Sequence, residues 1–308
     1  MELLRSIFQA MVLAAVLLAG SGAGALQAVT VEAPQEVVQG QPFSVRIASP
    51  VHFEQVEVTW LGQTLSVSLA ELDGSGDYST YVMLGADVAR PAGEAALEVR
   101  VHKHGLTLAR ESQIEILPQH FPEQRLTLPQ KMVTPDPAAL ERHAREKEQV
   151  EKALENGMPE RLWTLPLHRP VQGDVSSVYG LKRILNGEPR SPHRGTDFRG
   201  AAGTRVRAVG PGKVVLTAEH YFAGKSVYLD HGQGLVSMYF HLSAIDVAEG
   251  ESVQQGQVIG RIGQTGRATG PHLHFGLSIL GQLVDPSGLF DPRVTLDTLP
   301  GVSHDDQG

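Results

Sequence analysis

Residues 165–290 hold 20 of the chain's 33 glycines, and between them apolar and polar residues alternate only in short runs. An amphipathic helix needs a 3.6-residue period sustained over ten or more positions, which glycine at this density interrupts; short strands joined by tight turns accommodate it. The segment therefore reads as antiparallel β structure. It also carries 7 of the 13 histidines, and clustered imidazoles on a glycine-rich β scaffold point to a metal site. The chain contains no cysteine, so there is no disulfide framework, thiolate ligand or cysteine nucleophile, and any metal must be held by His, Asp or Glu.

The rest of the 308 residues organises itself around that segment. Arg5, an apolar stretch over residues 10–20 and the small-x-small triplet Ala23-Gly24-Ala25 read as a signal peptide over residues 1–25, giving a mature chain from Leu26. Glu2 offsets Arg5, so an uncleaved anchor is the rival reading, but the stretch is short for a membrane span, and Leu18-Ala19-Gly20-Ser21 has serine where a lipid attachment needs cysteine. No stable membrane anchor is expected after cleavage, and the protein is expected to be exported, to the periplasm or the cell exterior. Over residues 29–117, runs such as Phe43-Ser44-Val45-Arg46-Ile47 and Val56-Glu57-Val58-Thr59-Trp60 alternate between turn clusters, predicting an immunoglobulin-like β-sandwich. Its own His102-Lys103-His104 has no carboxylate at ligand spacing and reads as a solvated strand face.

Prolines 118, 122, 129, 135 and 137 mark a linker over residues 118–164. Within it, Asp136-Pro137 is an N-cap and first-turn pair for a charged helix over residues 137–156, closed by Gly157. With only Leu140, Val150 and Leu154 as apolar points, a solvated spacer is the expectation; packing on the following domain, with restricted access to the site, is the alternative. Residues 291–308 read as an acidic, disordered tail. Charge is uneven: residues 29–117 sum to −7 and residues 165–290 to +3. A mildly basic segment suits an anionic polymer, but no Lys/Arg run suggests nucleic acid.

Three stretches carry the chemistry: Pro192-His193-Arg194-Gly195-Thr196-Asp197-Phe198, Met238-Tyr239-Phe240-His241-Leu242-Ser243 and Thr269-Gly270-Pro271-His272-Leu273-His274-Phe275. In extended chain, His193 and Asp197 lie on one side with Gly195 free to bend between them. The period of two sends His272 and His274 to one face and Leu273, Phe275 and Leu277 to the other, and the same alternation places His241 with Ser237 and Tyr239 on a polar face. Two histidines and a carboxylate with an open position describe catalytic zinc, and equally the facial triad of non-haem iron; surplus histidines able to move protons favour hydrolysis. There is no His-Glu-x-x-His, so the usual metalloprotease glutamate is absent.

His-x-x-x-Asp, His-Leu-Ser and His-Leu-His-Phe in this order, with Ser177-Val178-Tyr179-Gly180, Gly203-Thr204-Arg205-Val206 and Gly263-Gln264-Thr265-Gly266 around them, resemble the lysostaphin/LytM family of zinc metallopeptidases over residues 170–290. The resemblance implies one Zn2+ per chain held by His193, Asp197 and His274. It makes His241 and His272 the catalytic pair, and peptidoglycan stem peptides or cross-bridges the substrate. Spacing alone leaves the roles of His272 and His274 interchangeable. The rival readings are a non-catalytic relative regulating a cell-wall amidase, against which all five positions are retained, and a lipoyl-like carrier, for which no hairpin lysine is evident. His231 and His220 lie in turns and read as structural or surface residues, His168, His143 and His304 have no partner motif, and Tyr179 and Asn186 read as turn and packing residues.

Overall fold

The computed structural model describes residues 29–71, 76–127, 135–154 and 157–300; the expected signal peptide, Pro129, the end of the helix at Asn156 and His304 lie outside them. The chain is mainly β. Two sheets enclose the first core. One runs Thr30–Glu32, Pro42–Ser49, Tyr78–Gly85, Ala70–Glu71; the other runs Glu36–Val38, Leu106–Leu117, Gly93–Lys103, Gln55–Trp60, Gln63–Val67. Alternation along Gln55–Trp60 buries Val56, Val58 and Trp60, as a one-face-buried strand requires. Trp60 meets Phe43 edge-on at 5.4 Å and donates its indole N–H to Gly85 O at 2.8 Å. His102 lies 3.4 Å from Glu57 and His104 3.6 Å from Glu54, carboxylates distant in sequence but adjacent across the strands.

A ten-stranded sheet builds the second half. Its main path is Val175–Ser177, Thr196–Arg199, His272–Ile279, Leu235–Ile245, Gly224–Asp230, Gly212–His220, Ser252–Val253. Phe198, Tyr239, Leu273, Phe275 and Leu277 fill its core. Gly232, at φ +83°, could carry no side chain: a Cβ there would sit 1.7 Å from Glu160 O. A small sheet pairs the linker strand Glu123–Leu126 in parallel with Lys182–Leu185, followed by Glu188–Pro189.

Helix α1, Pro137–Leu154, begins as expected, with Asp136 Oδ1 accepting from Ala139 N at 2.8 Å. It is not a solvated spacer. Val150, Ala153 and Leu154 pack on Leu216, Tyr228, Val236 and Met238. Glu146 accepts from Tyr221 N at 2.9 Å, Arg142 donates to Glu219 O at 2.7 Å, and His143 meets the Phe222 ring at 4.8 Å. A stripe this narrow suffices because polar side chains complete the dock. The disordered tail is likewise corrected for residues 291–300: Leu299 is buried, Val294 and Leu296 pack on the second core, and Pro300 O accepts from Ser44 N at 2.9 Å. No helix among the described residues is long and apolar enough to cross a membrane.

Candidate metal centre

Thr196–Arg199 and His272–Ile279 are antiparallel neighbours with Asp197 directly opposite His274, so the two side chains stand together on one face. His193 arrives from the preceding loop, not from the strand itself, and Gly195 lets it approach: a Cβ there would lie 2.6 Å from His274 Nε2 and from Phe275 O. His193 Nε2 lies 3.0 Å from Asp197 Oδ1 and 3.0 Å from His274 Nδ1, and His274 Nδ1 lies 2.8 Å from Asp197 Oδ1. Among the described residues these three form the cluster able to hold a metal.

The donor set itself calls for a cation. His193 Nδ1 is 2.8 Å from Val178 O; a carbonyl only accepts, so Nδ1 carries the proton and Nε2 turns a lone pair toward a carboxylate oxygen and a second imidazole. A lone pair facing a carboxylate is repulsive unless a positive charge, a proton on His274 Nδ1 or a cation, sits among the three. Four-coordinate zinc, bonded at about 2.0–2.1 Å, would hold its donors about 3.3–3.4 Å apart; spacings of 2.8–3.0 Å need to open by only a few tenths of an ångström, so the residues fit. The backbone carbonyl on His193 fixes its ring, as partners of metal-binding histidines do. His274 is fixed by stacking on Phe240, 5.4 Å between centroids at 10°. Burial alone would raise the Asp197 pKa, but the two imidazoles against it, His193 and His274, outweigh that and hold the carboxyl well below its usual range. Burial pushes His274 down, against the pull of Asp197.

His241 reaches the site by a route that alternation does not predict. Tyr239 pairs with Phe275 on the core face and Phe240 with His274 on the site face, so strict alternation would turn His241 inward with Tyr239. Instead the register with Gly224–Asp230 shifts between Val227 and Lys225, and His241 adopts φ +62°. That rare conformation for a non-glycine residue, at a bulge that re-aims the side chain, sets its ring 4.8 Å from His272 and 6.1 Å from His274. Its N–H is held by Ala223 O at 2.8 Å. Its Nδ1 donates to Thr265 O at 2.9 Å, and His272 Nδ1 donates to Gly270 O at 2.9 Å. Both rings thus keep Nε2 as the unprotonated nitrogen. Burial, then the positive potential of His274 and His272, pushes His241 down to about 3. All five predicted residues line one groove of ≈ 430 Å³.

His231 and His220 lie outside the groove in buried contacts. His231 is fully buried, with Nδ1 2.6 Å from Pro211 O and Nε2 2.7 Å from Ser237 Oγ. His220 is the buried last residue of a strand, not a loop residue, 3.3 Å from Tyr228 OH. Tyr179 is a packing residue whose hydroxyl donates to Leu283 O at 2.7 Å, and Asn186 occupies a turn at φ +52°. Arg183, Arg190 and Arg267, which sequence reasoning passed over, also line the groove; scattered basic residues give no local motif.

Residues 191–286 match Peptidase family M23. Peptidoglycan DD-endopeptidase ShyA of Vibrio cholerae is 47% identical over 112 residues, 36% of this chain and 26% of that protein. DD-carboxypeptidase/endopeptidase Mpg of Neisseria meningitidis is 44% identical over 122 residues, 40% of this chain and 28% of that protein. The match thus spans about a quarter of the length of these curated relatives. A crystal structure from Pseudomonas aeruginosa, assigned to peptidase M23, superposes with a TM-score of 0.61 at 28% identity, covering 82% of this chain and 94% of that one. The histidine and aspartate positions that converge on the groove all lie within the matched segment, and residues 191–286 are a peptidase family M23 domain.

Proposed function

We propose that the protein is a zinc metalloendopeptidase that hydrolyses amide bonds in the peptide part of peptidoglycan, acting in the cell envelope after export. The observation that carries this reading is the convergence of three ligand atoms within 4.8 Å of one another with two further imidazoles in the same groove. The names of the relatives, peptidoglycan DD-endopeptidase and DD-carboxypeptidase/endopeptidase, support the substrate class. In this reading residues 29–117 form an immunoglobulin-like sandwich, residues 118–164 a linker and residues 165–290 the peptidase unit.

His193 through Nε2, Asp197 through Oδ1 and His274 through Nδ1 would hold zinc, which supplies a Lewis acid that acidifies water and polarises a carbonyl. The chain's own part is proton transfer. His241 and His272, each tethered through Nδ1 to a backbone carbonyl, offer Nε2 to accept the proton of the attacking water and return it to the departing amine. Tethering means neither ring must be reoriented as the reaction proceeds.

The test is mass spectrometry of purified peptidoglycan incubated with the zinc-loaded chain. New amine and carboxyl termini in the peptide portion are expected. His193→Ala, Asp197→Ala and His274→Ala should lose zinc and activity together, whereas His241→Ala should keep zinc and lose about 10²–10⁴-fold in turnover, the usual worth of acid–base catalysis. Full activity in His241→Ala, or no new termini from a zinc-loaded chain, would refute the reading.

A further inference from the structure

The groove is more basic than hydrolysis of a neutral amide requires. Four arginines line it, Arg183, Arg190, Arg194 and Arg267, against one carboxylate, Asp197. Two of the four are compensated: Arg194 by the buried Asp87, and Arg190 by Glu188 at 2.5 Å. Asp197 Oδ1 faces the two imidazoles, leaving Oδ2 to Arg183 at the weak distance of 3.5 Å. Arg183 Nε is buried with no hydrogen-bond partner. A buried donor left in that state is unfavourable and is relieved by a ligand that accepts from it.

Arg267 has no carboxylate partner among the described residues. Its guanidinium carbon lies 4.4 Å from the Phe222 ring centroid. Stacking occupies one face of the group and leaves its edge, where the N–H donors lie, for a ligand. The platform is rigid: Arg267 N donates to Phe222 O at 2.9 Å, and Phe222 is braced edge-on by Tyr221 at 4.9 Å and by His143 of α1 at 4.8 Å. A planar fork held in place in the same groove as a second underused guanidinium matches a carboxylate, which accepts two parallel charge-assisted bonds. A dication at His193, Asp197 and His274 would add to the same positive potential.

Resting on the endopeptidase reading, we infer that Arg267 and Arg183 form a carboxylate-binding subsite of the groove, selecting peptides with a free carboxylate near the scissile amide over their neutral counterparts.

Two cross-linked peptidoglycan peptide dimers test it: one with the carboxyl beside the cross-link free, the other with that group converted to its carboxamide. The full zinc-loaded chain should show a kcat/KM at least tenfold higher for the acid. Arg267→Gln should lower the acid-to-amide ratio at least tenfold, with Arg267→Lys, which keeps the charge without the fork, between the two. Calorimetric Kd values for the product-length acid and amide peptides read the same preference without turnover. An acid-to-amide ratio that stays the same in Arg267→Gln, by both kinetics and binding, would overturn the subsite and leave the reaction standing. Conversely, Arg267-dependent binding of the acid with neither dimer cleaved would leave the subsite standing and remove the proposed reaction.

Discussion

Gly195 is glycine because the ligands leave no room for anything else. A methyl group there would press on His274 Nε2 and Phe275 O, each 2.6 Å away, closer than nonbonded atoms approach. The ring cannot yield without leaving its stack on Phe240. Gly195→Ala should therefore weaken zinc binding about 10–100-fold, the scale on which displaced supports of metal ligands act, while costing about 1–3 kcal/mol of stability from overpacking. Competition titration with a zinc chelator and a thermal melt check the two effects. At this scale the convergence of His272, His274 and Asp197 was legible, because all three sit in regular strands whose period of two is written in the sequence; His193, in a loop, was found through its motif. His241 was found through its motif, and the reason first given for its placement was wrong. Its positive φ and the register shift beside it arise from pairing with distant strands and leave no local trace.

Among the elements, the turn after Gly224–Asp230 is tied to its neighbours by one buried imidazole. His231 Nδ1 donates to Pro211 O, Ser237 Oγ lies 3.0 Å from Tyr239 OH, and Tyr239 OH accepts from Val209 N at 3.0 Å. Burial lowers the His231 pKa, against the weaker opposing pull of Pro211 O and Asp230. The folded state thus binds the proton less well than the unfolded chain. Stability from this group is complete above the unfolded value of about 6.5 and declines as pH falls below it, by at most about 1.4 kcal/mol per pH unit. Urea denaturation at pH 8 and pH 5 should show His231→Asn less stable than the parent at pH 8, with a smaller loss on acidification; equal losses in both would contradict this. The sequence showed His231 as a turn residue, since Asp-His-Gly-Gln-Gly says turn and nothing about depth. It also undersold α1, whose dock depends on Glu146 and Arg142 bonding backbone atoms of residues 219 and 221. Those contacts have no periodicity to detect.

On the scale of the whole molecule, the first pair of sheets is joined to the metal centre. Asp87, buried, accepts from Arg194 Nε at 3.0 Å, from Leu283 N at 3.2 Å and from Ala89 N at 2.8 Å. Arg194 lies between the candidate ligand His193 and Gly195, so this carboxylate braces that loop from outside the M23 segment. Tyr179 adds a second tie, accepting from Val88 N at 2.9 Å. Asp87→Ala should cost about 1–3 kcal/mol, mainly from the buried N–H groups it orphans; the half-exposed Arg194 returns to water and adds little. A lowered Tm together with weaker zinc retention in dialysis is expected, and a variant that loses stability but retains zinc as the parent does would show that the brace does not reach the ligand. None of this was visible in the sequence, where the two halves looked like independent units on a linker.

The bond from Ser44 N to Pro300 O gives this architecture a direction in time. Ribosomes make residue 44 long before residue 300, so an early strand waits for one of the last segments described before its edge is closed. This contact between the two halves therefore forms long after the strand that donates to it has been made. The brace on the ligand loop waits in the same way, since Asp87 must be met by Arg194 and Leu283, made long after it.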